Sequence, residues 1–145
     1  MKKIIMSLAV SFTIAIPAAF AANGQDPGQQ VLESFKKEFV NAEQVTWEKQ
    51  EEFEKATFML AGSRAIAFFN SRGELAGSIR DIFYNQLPLS VMTALDKKFP
   101  EAIIYDVREI TNDEGTSYRI TLEEKSKKKL VRVDGTGRVN DVEKL

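Results

Sequence analysis

The chain has 145 residues, 20 of them basic and 21 acidic, and contains neither cysteine nor histidine. Those two absences exclude a His general base, a Ser-His-Asp triad, a Cys nucleophile and an ordinary His/Cys zinc site, leaving carboxylate, Lys, Tyr and Ser chemistry. The mildly acidic balance argues against nucleic acid, whose phosphates ask for a basic surface, and with no disulfide available the stability must come from packing.

The chain opens with Met1-Lys2-Lys3, an apolar stretch over residues 4–16, Pro17, and a small-residue run ending Ala19-Phe20-Ala21. This is the pattern of a secretory signal peptide over residues 1–21. Its apolar core is shorter than the roughly 20 residues of a membrane-spanning helix. No cysteine follows that could carry a lipid. The expected mature chain therefore begins at Ala22, is soluble, and works in the periplasm or outside the cell.

Asp26-Pro27 with Gln29 reads as a helix start with a partial capping box, and Val31, Leu32, Phe35 and Phe39 then fall on one face of a helix ending near Asn41. The pattern next changes to alternation, which predicts strands over residues 45–48, 53–60, 64–70 and 75–84, with turns at Ala61-Gly62 and Asn70-Ser71-Arg72-Gly73. Pro88 opens a second helix carrying Val91, Met92, Leu95 and Phe99 and stopped by Pro100. Strands over 103–110, 117–123, 128–133 and 138–142 follow, with turns at Asn112-Asp113-Glu114-Gly115 and Asp134-Gly135-Thr136-Gly137.

The halves align with each other. At an offset of 60, Val31, Phe35, Lys37, Phe39, Ala42 and Trp47 fall on Val91, Leu95, Lys97, Phe99, Ala102 and Val107; at an offset of 64, Ile66, Phe69, Asn70 and Gly73 fall on Leu130, Val133, Asp134 and Gly137. The expected fold class is α+β: two tandem repeats, over residues 22–84 and 85–145, each one helix followed by about four antiparallel strands. A lone helix on four strands is a small core, so the halves are expected to share one.

Several of these residues carry a family resemblance. The first half has Val31, Phe35, Phe39, Ala42, Val45 and Trp47 in V-x3-F-x3-F-x2-A-x2-V-x-W, then Ala56-Thr57-Phe58 and Ala67-Phe68-Phe69-Asn70-Ser71-Arg72-Gly73. The second has Leu87-Pro88, Val91, Leu95, Phe99-Pro100-Glu101-Ala102, Tyr118-Arg119-Ile120 and Val133-Asp134-Gly135-Thr136-Gly137. Together they resemble the PepSY-like exported bacterial proteins related in fold to the β-lactamase inhibitor protein. The resemblance implies two helix-then-sheet repeats whose sheets could form one broad curved surface, and protein binding or inhibition as the activity. No inhibitory residue is carried over, because this chain lacks that inhibitor's disulfides.

Other motifs have plainer readings. Ser34-Phe35-Lys36-Lys37 and Ser126-Lys127-Lys128-Lys129 match S-x-x-K, but the companion S-D-N and K-T-G motifs of that enzyme class are absent. Asn112 to Gly115 and Asp134-Gly135 lack the calcium-loop spacing and read as turns. Glu51-Glu52-Glu54 and Glu123-Glu124 read as solvated hairpin acids rather than a glycosidase pair. No enzymatic activity and no cofactor is expected.

If Val45, Trp47, Ala56, Phe58, Ala67 and Phe69 face the first helix, alternation sends Thr46, Thr57, Met59, Ile66 and Phe68 to the other face, and in the second half Asp106, Arg108, Arg119, Thr121 and Arg132. Met59, Ile66, Phe68, Arg108, Arg119 and Arg132 are thus the candidate binding surface, for another exported protein or peptide, with hydrolase inhibition as one form. The alternative is a small-ligand carrier with a pocket between the repeats lined by Phe68, Tyr84 or Tyr105. Mass measurement of the exported product should give a chain beginning at Ala22; a full-length, membrane-retained product would contradict the reading of the first 21 residues.

Overall fold

The computed structural model describes residues 26–145, so the signal-peptide reading and its cleavage position lie outside the described residues. Helix α1 (Gln29–Glu38) leads into strands β1 (Glu43–Gln50), β2 (Phe53–Leu60), β3 (Ser63–Phe69) and β4 (Leu75–Ile82). A 3-10 turn at Tyr84–Gln86 then precedes α2 (Leu89–Lys98) and strands β5 (Ile103–Asn112), β6 (Gly115–Glu124), β7 (Lys127–Asp134) and β8 (Val139–Lys144).

The helix starts differ from expectation. Gly28, not Asp26, occupies the cap of α1, and it has no side chain to bond the free N–H groups, so Pro27 precedes the helix. Gln29 reaches forward to Glu33 at 3.1 Å instead of back to the cap. Pro88 is itself the cap residue of α2, its carbonyl accepting from the Val91 and Met92 N–H groups.

The α+β expectation of two repeats is corrected by the sheet. Among the described residues, all strands belong to one eight-stranded antiparallel sheet in simple chain order, and with only two ten-residue helices beside it the architecture is mostly β. Pairing does not stop between the halves: β4 and β5 run in register from Gly77–Asn112 to Ile82–Val107. The physical reason is that an unpaired β4 edge would leave a row of backbone donors and acceptors open, and the turn at Tyr84–Gln86 brings the chain back so that β5 satisfies them.

The expected shared core is corrected too. Under α1, Val31 and Phe35 pack on Ala56, Phe58, Ala65, Ala67 and Phe69, with Phe39, Val45 and Trp47 closing the sides. Phe35 is the hub, its ring centroid 5.0 Å from Phe58 and 5.1 Å from Trp47, both edge-on. Under α2, Val91, Leu95 and Phe99 pack on Val107, Tyr118, Ile120, Leu122, Val131 and Val133. Among the described residues no buried side chain belongs to both clusters. Between them, on the same face, β4 and β5 carry the Arg80–Glu109 ion pair at 3.0 Å, and the Thr111 hydroxyl of β5 is hydrogen-bonded to that of Thr116 on β6 at 3.2 Å. A charged seam is what a stretch of sheet with no helix over it requires.

Two turns lock the helices down. In the β3–β4 turn Asn70 Oδ1 accepts from the Arg72 and Glu74 N–H groups, and in the β7–β8 turn Asp134 Oδ1 accepts from those of Thr136 and Arg138. Each turn ends on a glycine with positive φ, Gly73 at +79° and Gly137 at +91°. A Cβ on Gly73 would stand 2.7 Å from the Gln30 carbonyl oxygen, and one on Gly137 2.5 Å from that of Ser90. Only glycine lets these turns touch the first turn of each helix.

Two outcomes follow from this packing. Phe58→Ala should cost about 3–5 kcal/mol and lower hydrogen-exchange protection in β1–β3 more than in β6–β7, with Leu122→Ala giving the reverse order; equal loss in both regions would show one undivided core. The Thr136 hydroxyl, bonded to Asp134 at 2.6 Å, is the main reason the Asp134 carboxyl is held below its ordinary value of 3.8, followed by the Arg138 and Thr136 N–H groups. A carboxyl lowered in the folded state adds stability above its unfolded value, lost as pH falls through the folded one. Asp134→Asn keeps an acceptor oxygen and should remove this acid-sensitive step at the β7–β8 turn, read by amide chemical shifts of Thr136 and Arg138 below pH 4.

Candidate functional site

Both helices cover one face of the sheet, and the candidate surface lies on the other. Strand alternation and register set its rows. One row runs Thr46, Thr57, Ile66, Ile79, Ile110, Ser117 across β1 to β6. Beside it, Lys55, Phe68, Gly77 and Asn112 stand side by side on β2 to β5. On the other flank, Asp81, Arg108, Arg119, Arg132 and Asp141 are consecutive partners on β4 to β8.

The structure therefore puts all six predicted residues on the face without helices, in two groups. Ile66 is the most covered at 8% exposure, although it belongs to neither helix-side cluster; its cross-strand neighbours Thr57 and Ile79 flank it on the open face. Met59 and Phe68 are half-buried. Phe68 lines a shallow depression of about 320 Å³ with Gln50, Phe53, Ala76 and Gly77, where the absent side chain of Gly77 leaves room beside the ring.

The arginines differ in their partners. Arg108 Nε lies 3.4 Å from Asp81 and 3.2 Å from Asp106. Arg132 contacts Asp141 at 3.0 Å and Glu143 at 3.7 Å. Arg119, between them, takes part in no ion pair among the described residues, and its Nε, like that of Arg108, is buried with no hydrogen-bond partner. Ile79, Ile110, Phe53, Gly77 and Asp81 complete the face and were not among the predicted residues. Carrying the alternation of β3 onward into β4 and β5 would have found the two isoleucines.

The predicted pocket is divided by the structure. A cleft of about 450 Å³ opens between the β2–β3 turn, the end of β4 and the start of β5, lined by Arg64, Asp81, Phe83, Tyr84, Tyr105 and Asp106 among others. Tyr84 and Tyr105 meet there, while Phe68 belongs to the separate depression. Phe83 and Tyr105 stand 72% and 55% exposed at its rim. The Tyr84 hydroxyl donates to Asp96 at 2.7 Å; burial first, and then that bond, push its pKa up to about 12. Tyr105 donates to Glu123 at 3.0 Å, which raises its pKa as well, and Lys128 Nζ sits 4.8 Å over its ring. Both phenols hold their protons, the opposite of what a tyrosine base needs.

The remaining motifs are occupied by structure. Ser34 lies against the Gly73 turn, and Ser126 with Lys125 forms the positive-φ turn of the β6–β7 hairpin. Glu54 pairs with Lys49 at 2.9 Å and Glu124 with Lys129 at 2.8 Å. The Asn112 side chain accepts from the Glu114 N–H and the Asp134 carboxylate from the Thr136 N–H, so the Oδ1 atoms of both turns are spent on their own backbone.

An open eight-stranded antiparallel sheet with two helices on one face and a half-apolar, half-charged other face is the class of protein this geometry defines. No protein-family model matches the chain, PepSY included, and no functionally curated protein matches it. Among solved structures, a presumed periplasmic protein from Bacteroides eggerthii superposes with a TM-score of 0.73 at 17% identity, covering 83% of this chain and 90% of that one. A BLIP-like protein from Bacteroides fragilis gives 0.72 at 21% identity, covering 83% and 88%. A DUF2874 family protein from Bacteroides ovatus gives 0.72 at 19%, covering 83% and 89%. The chain shares their fold.

Proposed function

We propose that this chain is an exported, non-catalytic binding protein that holds another protein or a peptide on the open face of its sheet. The observation that carries the reading is the composition of that face: Ile79 and Ile110 lie next to a row of arginines, Phe68 and Phe53 stand on the other flank of the isoleucines, and both helices are on the opposite side. Large side chains beside guanidinium groups are the usual content of protein interfaces. The neighbours support the same direction, one being BLIP-like and another presumed periplasmic. Inhibition of an exported hydrolase is the narrower form of the proposal.

A shallow, open surface suits a protein more than a small molecule, which is usually enclosed. The cleft beside Tyr84 and Tyr105 is the weaker candidate, because it opens to solvent and both phenols already bond within the protein.

The test compares two phenylalanines on opposite faces, using the partner obtained by cross-linking in the intact exporting cell. Phe68→Ser should abolish capture and cost no more than about 1–2 kcal/mol, since the side chain is only half covered. Phe58→Ser, in the α1 cluster, should instead unfold the chain. Capture that survives Phe68→Ser in a folded protein would set the open face aside.

A further inference from the structure

We infer that Arg119 is the seat for a single carboxylate of an acidic partner, a conclusion that rests on the open face being the binding surface. Arg64, Arg108, Arg119 and Arg132 lie on that face with Asp81, Asp106, Asp141 and Glu143. These acids are engaged elsewhere: Asp81 by Arg64 and Arg108, Asp106 by Arg108, Asp141 and Glu143 by Arg132, while Glu123, further along β6, accepts from Tyr105 and faces Lys128. Arg119 alone is left.

Its position makes this costly. Arg119 is directly opposite Arg108 on one side and Arg132 on the other, and like charges facing across strands repel. Its Nε is buried without an acceptor, which adds the cost of an unmet hydrogen bond. A sheet selected for stability alone would carry Thr or an acid here. A cation left without a counter-ion at the centre of a face is suited to a charge supplied from outside.

The same layout specifies the ligand. One guanidinium on this face has no ion pair, and the four carboxylates on its flanks repel further negative charge, so a singly charged planar carboxylate fits better than a phosphate dianion. Phe68 and the isoleucine row lie toward the first half of the same face, and Tyr105 lies beyond Asp106 toward the other end of β5. The partner segment is accordingly a Glu or Asp side chain flanked by apolar residues. Sequence alternation places Arg132 on the same face, at the position equivalent to Phe68, where it would give charge selectivity; its two acidic partners remove it from this role.

The experiment titrates the purified protein, at low ionic strength, with a short fluorescein-labelled peptide of alternating Glu and Leu, with its Gln and Leu counterpart, and with inorganic phosphate. The Glu peptide should bind, with salt weakening it, and Arg119→Met should reduce its affinity about tenfold or more, the range for a charged hydrogen bond. Arg132→Met should reduce it less. The unfolding midpoint of Arg119→Met should be equal to or above that of the parent, because a repelled and unsatisfied cation has been removed. Equal binding of the Gln peptide, unchanged affinity in Arg119→Met, phosphate binding tighter than the Glu peptide, or loss of binding with a lowered midpoint would each overturn the assignment. If Phe68→Ser abolishes partner capture while Arg119→Met leaves both assays unchanged, the open face stands and this inference falls; if neither variant changes capture, the surface itself is wrong.

Discussion

The backbone ladder between β4 and β5 is the contact on which the rest of the architecture depends. It joins strands from either side of the Tyr84–Gln86 turn into one surface, so both helices must lie on that surface together. Eight strands at about 4.8 Å spacing span roughly 34 Å, whereas a ten-residue helix is about 15 Å long and 10–12 Å across. Two such helices cannot cover the whole of one face, and among the described residues none remains for the other. The α1 cluster accordingly draws on β1 to β3 and the α2 cluster chiefly on β5 to β7, leaving the Arg80–Glu109 seam wet between them.

That geometry separates the two kinds of apolar residue. Phe58, Phe69, Ile120 and Leu122 are completely covered because a helix sits over them. Ile66 reaches nearly the same coverage by a different route, shielded by side chains of its own face, while its neighbour Phe68 stays half open beside Gly77. A glycine in mid-strand, where a larger residue would pack against the ring, keeps that depression available. Its own Cβ would come within 3.0 Å of the Thr111 carbonyl oxygen, so the close β4–β5 approach and the open depression have a common cause.

The electrostatics follow from register. Arg108 and Arg132 each find two acids because antiparallel pairing delivers Asp81 and Asp141 to the positions opposite them. Arg119, on the strand between, meets only arginines. The difference between a neutralised and a free cation on this face thus arises from which strands are neighbours.

Much of this was legible in the residues themselves. The 3.6-residue spacing of Val31, Phe35 and Phe39, and of Val91, Leu95 and Phe99, marks both helices, and the Asn70 and Asp134 turns announce themselves through the glycines three residues on. The period-two alternation of β2, β3 and β6 assigns Phe58 and Phe68, or Ile120 and Arg119, to opposite faces, because that period is a property of the extended backbone alone. The cap of α1 is not legible in this way, because Gly28 has no side chain to signal it and Asp26 two residues earlier offers a stronger pattern. What local pattern could not decide was whether β4 would pair with β5, whether the buried side chains would form one cluster or two, and which arginine would be left without an acid. Those outcomes depend on contacts between residues far apart in the chain, such as Asp81 with Arg108, and no periodicity within a single strand encodes its neighbour.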